Sequence, residues 1–165
     1  APGIYRRGDR LYTVNRSGDD PVYGEDMVRV DGREYRRWDA DRSKLAAAVG
    51  KGLDPGIEQD DEIIYLGAAS GTTVSHLSDI VEDGFVVAVE YSKTVARDLV
   101  SLAEKRDNIA PVIADARKPE EYAEYVEDAD VVYQDISQRD QAEILEKNCE
   151  SFLEKGDTAL VAVKA

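Results

Sequence analysis

Two styles of hydrophobic patterning meet near residue 40. Before it, short β-branched or aromatic runs such as Leu11–Val14 and Met27–Val30 are separated by turn signals at Ser17-Gly18-Asp19-Asp20 and Asp31-Gly32. Residues 1–38 are therefore predicted to form a small antiparallel set of strands. A helix is expected over Asp41–Val49, with an aspartate at its start and Gly50 and Gly52 past its end. From residue 62 the pattern alternates regularly. Strands are predicted at Glu62–Leu66, Phe85–Glu90, Ala110–Ala114, Val131–Asp135 and Ala159–Lys164, and helices at Thr73–Val81, Lys93–Lys105, Pro119–Val126 and Arg139–Leu153. In Lys93–Lys105 the residues Val95, Leu99, Leu102 and Ala103 make one apolar face, and Ser92 is placed to cap it. Apolar strands alternating with amphipathic helices imply a parallel sheet covered on both faces, joined by right-handed crossovers. The expected fold is α/β: a Rossmann-like, doubly wound sheet in residues 41–165, with a small N-terminal antiparallel β domain in residues 1–40.

Composition adds limits to this picture. The 165 residues suit one domain with a small appendage, and the 42% hydrophobic share suffices for one core. No apolar run is long enough to span a membrane, and Ala1–Arg7 lacks the apolar centre of a secretory leader. A single cysteine, Cys149, excludes an internal disulfide and a cysteine-rich zinc site, and is read as a small packed residue. A cytoplasmic protein with no membrane partner and no metal is expected. The net charge of −14 argues against broad nucleic-acid contact, but it is unevenly spread. Residues 1–53 carry 11 basic and 9 acidic side chains (+2), and residues 54–165 carry 10 and 26 (−16). Arg33, Arg36, Arg37, Arg42 and Lys44 crowd one short stretch, so phosphate contact is expected to be local or delegated to a partner.

Ligands of such sheets bind outside the carboxyl ends of the strands, so the residues following each strand carry the chemistry. After the first comes Gly67-Ala68-Ala69-Ser70-Gly71-Thr72-Thr73, a run of small residues that lets backbone approach a ligand ahead of a helix N-terminus. The alternative is a tight strand-to-helix turn with no ligand, and the run lacks the Gly-Lys-Ser/Thr ending of a phosphate-binding Walker loop. Glu90 ends the second strand, where a carboxylate can accept from both ribose hydroxyls; Asp115, followed by Ala116, can take an adenine amino group. Taken singly, each also reads as a helix-start or turn acid. Together they describe a nucleoside pocket. Ala69 stands where a dinucleotide fingerprint needs its middle glycine, which favours S-adenosylmethionine over NAD. Asp135 and Lys164 close the fourth and fifth strands and are expected to face one crevice. They form either a structural ion pair or a pair that deprotonates a hydroxyl.

The run Tyr65-Leu66-Gly67-Ala68-Ala69-Ser70-Gly71-Thr72-Thr73-Val74-Ser75-His76 and the segment Val89-Glu90-Tyr91-Ser92 resemble the cofactor motifs of fibrillarin. Asp115-Ala116-Arg117, Asp135-Ile136-Ser137-Gln138-Arg139-Asp140-Gln141, Tyr35-Arg36-Arg37-Trp38 and Arg42-Ser43-Lys44-Leu45-Ala46-Ala47 extend the resemblance, which runs from about residue 22 to the end and is to the archaeal form. The stretch Trp38–Asp41 departs from the family in lacking a proline. The resemblance implies methyl transfer from S-adenosylmethionine to a ribose 2'-hydroxyl in rRNA or tRNA. It implies a cofactor site lined by Gly67, Ala68, Ser70, Gly71, Thr72, Thr73, Glu90, Tyr91, Asp115, Ala116, Asp135, Ile136, Ser137 and Gln138. Lys44, Asp135 and Lys164 match the Lys–Asp–Lys core of related ribose methyltransferases, with Asp135 and Lys164 activating the hydroxyl and Lys44 holding the ribose or its phosphate. His76, the sole histidine, lies apart from that role. The family also implies a box C/D guide RNA, a Nop-family scaffold protein and a kink-turn-binding protein as partners. It continues past the last strand with a further strand pair and a fourth catalytic His or Glu, so the chain is expected to be a C-terminally truncated piece. If so, a scaffold component that binds cofactor without turnover is the alternative to an active enzyme.

Overall fold

A computed structural model describes residues 1–163. Strands β1 (Tyr5–Arg7), β2 (Arg10–Val14), β3 (Met27–Val30) and β4 (Arg33–Trp38) form an antiparallel sheet in the order β1-β2-β4-β3. Its inner face sends Leu11 and Trp38 into the main core. The first helix, α1 (Lys44–Gly50), begins three residues later than predicted. Ser43, not Asp41, caps it, with Oγ accepting from the Ala46 N–H.

The second sheet is parallel, in the order β7-β6-β5-β8-β9, built from β5 (Glu62–Leu66), β6 (Phe85–Glu90), β7 (Ile109–Ile113), β8 (Val131–Gln134) and β9 (Thr158–Val161). Helices α2 (Thr72–Ile80), α3 (Lys93–Glu104) and α4 (Gln141–Phe152) are the crossovers. Central β5 is buried from Ile63 to Leu66, as its unbroken apolar run requires. One core lies under α2, α3 and the N-terminal sheet, around Ile63, Leu77, Leu99 and Trp38; the other, around Ile64, Val132 and Tyr122, lies on the opposite face. Because β6 lies on one side of β5 and β8 on the other, the chain reverses direction across the sheet between β5 and β8. A crevice opens there at their carboxyl ends.

One predicted helix is absent. Pro119–Val126 forms two single 3₁₀ turns, Pro119–Glu121 and Ala123–Tyr125. Tyr122 sits between them, fully buried, stacked on Phe152 and bonded through its hydroxyl to Asn148, and this anchor holds the chain off a continuous α spacing. Cys149 is half-buried on α4. The fifth predicted strand, Ala159–Lys164, ends at Val161 in the structure, and Lys164 lies outside the described residues.

Candidate active site

The crevice is built from three loops. The turn after β5 brings its backbone against the loop after β8: a Cβ on Gly67 would meet the Asp135 carbonyl and come within 2.7 Å of Ile136 Cγ2. Gly67 is itself left-handed (φ 81°), so only glycine suits both the conformation and the space. Two residues on, Ala69 is also left-handed (φ 53°), an unusual state for a residue with a side chain. Its N–H donates to Glu90 Oε1 at 2.9 Å, while the Ser92 N–H donates to Oε2 at 2.9 Å. One carboxylate thus ties the glycine loop to the start of α3 and retains lone pairs for a ligand. The third loop places Asp115 Oδ1 as acceptor from the Arg117 N–H, with Arg117 Nε on Asp140 at 2.9 Å.

These loops enclose a cleft of about 270 Å³. Of the sequence-predicted cofactor residues, Gly67, Glu90, Tyr91, Asp115, Ala116, Asp135, Ile136, Ser137 and Gln138 line it, together with Ala69 and Ile144. The others stand elsewhere around the loop. Ala68 is buried beneath it. Gly71 caps α2 against Leu102. Ser70 and Thr72 face a separate groove shared with Arg42 and α3. Thr73 is buried, its hydroxyl 2.9 Å from Ser43 Oγ.

Asp135 Oδ1 accepts from Lys44 Nζ at 2.6 Å. The expected ion-pair partner, Lys164, lies outside the described residues, whereas Lys44 comes from α1, 91 positions before Asp135. The pair is partly open to solvent, with side chains 51% and 22% exposed. Lys44 is held from behind: Ser43 Oγ also accepts from Trp38 Nε1 at 3.1 Å, so the start of α1 is pinned to β4 and, through Thr73, to α2. Beneath Asp135, Tyr65 and Tyr133 meet edge to face at 4.8 Å. Burial, then the neighbouring Asp135 carboxylate, raises the Tyr133 hydroxyl pKa, so it stays protonated.

A second polar cluster escaped the sequence reading. Where the N-terminal sheet meets α2, Arg36 donates from Nε to Glu25 Oε2 and from Nη1 to Asp79 Oδ2, both at 2.7 Å, and from Nη2 to Ser75 Oγ at 2.7 Å. Arg106 Nη1 reaches Asp79 Oδ1 at 2.7 Å. Arg36, Glu25 and Asp79 side chains are 0% exposed. Arg36 is therefore unavailable to phosphate, contrary to its grouping with Arg33, Arg37 and Arg42; of these, Arg42 lies over the Tyr23 ring at 5.4 Å. His76 completes the cluster, with Nδ1 2.8 Å from Thr13 Oγ1, Nε2 2.8 Å from the Tyr23 hydroxyl, and Trp38 stacked at 5.5 Å. Burial, reinforced by Arg36 and Arg106, holds its pKa well below the usual histidine value. A neutral ring protonated on Nδ1 fits: Nδ1–H donates to Thr13, the Thr13 hydroxyl donates to Asp79 Oδ2 at 2.9 Å, and Nε2 accepts from the Tyr23 hydroxyl. His76 is structural.

A nucleoside-sized cleft at the switch point, floored by glycine and alanine with no pyrophosphate cradle, and carrying a lysine–aspartate pair at its edge, is the arrangement of a Rossmann-like class I methyltransferase. The fibrillarin family model matches residues 3–165, and the chain belongs to that family. A fibrillarin-like rRNA/tRNA 2'-O-methyltransferase of Methanosarcina mazei is 48% identical over 156 residues, covering 94% of this chain and 81% of the relative. Aeropyrum pernix fibrillarin, solved with natively bound S-adenosyl-L-methionine, superposes with a TM-score of 0.90 at 45% identity over 98% of this chain and 73% of its own. The fibrillarin of a fibrillarin/Nop5p complex gives 0.88 at 45% identity over 98% and 75%.

Proposed function

We propose that this chain transfers the methyl group of S-adenosylmethionine to the 2'-hydroxyl of a ribose in rRNA and tRNA. The observation that carries the reading is the Lys44–Asp135 pair at the mouth of a cleft that also presents Glu90 and Asp115. The residues fit the cofactor: Gly67 leaves space that any side chain would fill, Glu90 has lone pairs for ribose hydroxyls, and Asp115 for an adenine amino group. The bound cofactor supplies an electrophilic methyl on a sulfonium. The protein's share is placement and proton removal. Lys44 engages Oδ1 of Asp135, which leaves Oδ2 to accept the hydroxyl proton as the oxygen gains its new bond. The ammonium of Lys44 lowers the energy of negative charge developing there. Lys164, by resemblance, is the second cation of this site. Holding the oxygen in line with the methyl group contributes up to ~7–11 kcal/mol in well-oriented reactions.

A Nop-family protein is the proposed scaffold, in keeping with the Nop5p complex of the relative. A box C/D guide RNA choosing the nucleotide, and a kink-turn-binding protein beside it, complete the proposed particle, with the cytoplasm as its compartment. Calorimetric titration with S-adenosylmethionine, beside Asp115→Ala, tests the pocket: saturable binding lost in the variant is expected. Methyl transfer to a guided RNA in the reconstituted particle tests the reaction, and cofactor binding without transfer would overturn it.

A further inference from the structure

The outward face of the N-terminal sheet differs from the rest of this acidic molecule. Side chains alternate along strands, and pairing sets Tyr5 against Tyr12, Tyr12 against Arg37, and Val14 and Val28 against Tyr35. These point away from Leu11 and Trp38, which belong to the main core while Tyr12 and Val14 do not. The same face carries Arg7, Arg10 and Arg33, and valines fill its remaining positions. Among the described residues, no carboxylate occupies an outward position of these four strands, although the chain has 35 acidic residues to 21 basic. Of the face's arginines, Arg37 has a carboxylate neighbour, Asp26 at 3.8 Å.

Between the tyrosines lies a shallow hollow of about 360 Å³. Tyr5 and Val30 at its edge are 38% and 43% exposed. Tyr5 meets Tyr35 edge-on at 5.2 Å, and the Arg33 guanidinium lies 5.9 Å over the Tyr35 ring. An apolar hollow ringed by arginines fits a polyanion that carries flat apolar groups: phosphates on the cations, bases on the rings. A duplex hides its base faces, so the fitting form is single-stranded. The crowded basic stretch now divides by role. Arg36 is buried in the joint, Lys44 lies at the cleft and Arg42 lies over Tyr23, which leaves Arg33 and Arg37 to this face. Strand β4 ends at Trp38, six residues before Lys44, so the face and the cleft border the same connection.

We infer that the outward face of the N-terminal sheet binds single-stranded RNA through Tyr5, Tyr35 and the arginines around them, at a site separate from the methyl-transfer cleft. The test is fluorescence anisotropy of a labelled single-stranded RNA of about a dozen nucleotides with the purified chain, from about 50 to 200 mM salt. Arg7→Glu/Arg33→Glu is expected to weaken binding at least about tenfold and to flatten the salt dependence. Tyr5→Ala should weaken it about fivefold or more by removing a stacking surface. Arg97→Glu, an equal charge change on α3, should leave it within about twofold, and S-adenosylmethionine affinity should be unchanged throughout. Any of four outcomes overturns the inference: no RNA binding at the lowest salt, equal loss in Arg97→Glu, equal displacement by an acidic peptide, or a dimer in sedimentation that Tyr5→Ala dissolves. The last would make the face a contact between copies.

Discussion

Two carboxylate–cation sites invite comparison, since each links the region before residue 51 to the Rossmann-like sheet. At the joint, Asp79 binds two arginines with no exposure of its side chain; at the cleft, Asp135 binds one lysine with half of that lysine in water. Both have short bonds, so geometry alone does not separate them. Burial does. A buried charge robbed of its partner cannot turn to water, whereas an exposed one can, so the same substitution costs stability at one site and little at the other. The joint spends its charges on holding two sheets together. The cleft keeps its pair cheap to rearrange, as chemistry with a substrate requires.

The largest effect should therefore come from Asp79. Asp79→Ala takes from buried Arg106 its carboxylate and leaves Arg36 with Glu25 alone, and is expected to cost ~3–5 kcal/mol in denaturant unfolding. Lys44→Ala should reverse this profile. Stability should fall by less than ~1 kcal/mol while guided methylation drops ~10²-fold or more, and a loss of stability like that of Asp79→Ala would erase the distinction. Glu90→Ala should weaken cofactor binding by roughly ten- to a hundredfold, read by calorimetry, since it removes charged hydrogen bonds and frees the Ala69 loop. The joint should also answer to acid. Folded His76 refuses a proton that the unfolded chain accepts near pH 6.5, so stability is fully present above that pH and is lost as pH falls below it, at up to ~1.4 kcal/mol per unit. Unfolding midpoints at successive pH values should show that slope, reduced in His76→Gln. Smallest of all, Ser43→Ala should cost ~1 kcal/mol as a lost cap, and methylation should fall further than that stability loss alone explains because Lys44 loses its backing.

The same contrast explains what could be read in the sequence. The parallel sheet was legible because its strands are continuous apolar runs. The cleft was legible because its residues follow those strands directly: Gly67 after β5, Glu90 at the end of β6, Asp135 after β8. Family resemblance put Lys44 in one site with Asp135 but paired Asp135 with Lys164; the Lys44–Asp135 contact itself was not legible, for 91 positions separate them. The joint was illegible. Arg36 reaches Asp79 across 43 positions and Thr13 reaches His76 across 63, and each residue alone looks like a surface polar group. Only packing brings them together, and only burial marks them. The Pro119–Val126 helix failed for a similar reason, since its pattern does not reveal that Tyr122 is tethered to Asn148 on α4.

Gly67 has a consequence beyond making room. Its backbone lies so close to the carbonyl of Asp135 that not even a methyl group would fit between the two loops. In the proposed reaction, one of those loops would border the methyl donor and the other carries the carboxylate that would take the acceptor's proton. Two main chains in direct contact act as a gauge block: the spacing of the two loops is set by the thickness of peptide backbone, and the Asp135 side chain turns on a fixed mount. Variation elsewhere in the protein can tilt or shift this assembly as a whole, but the interval between the two loops is machined into the fold.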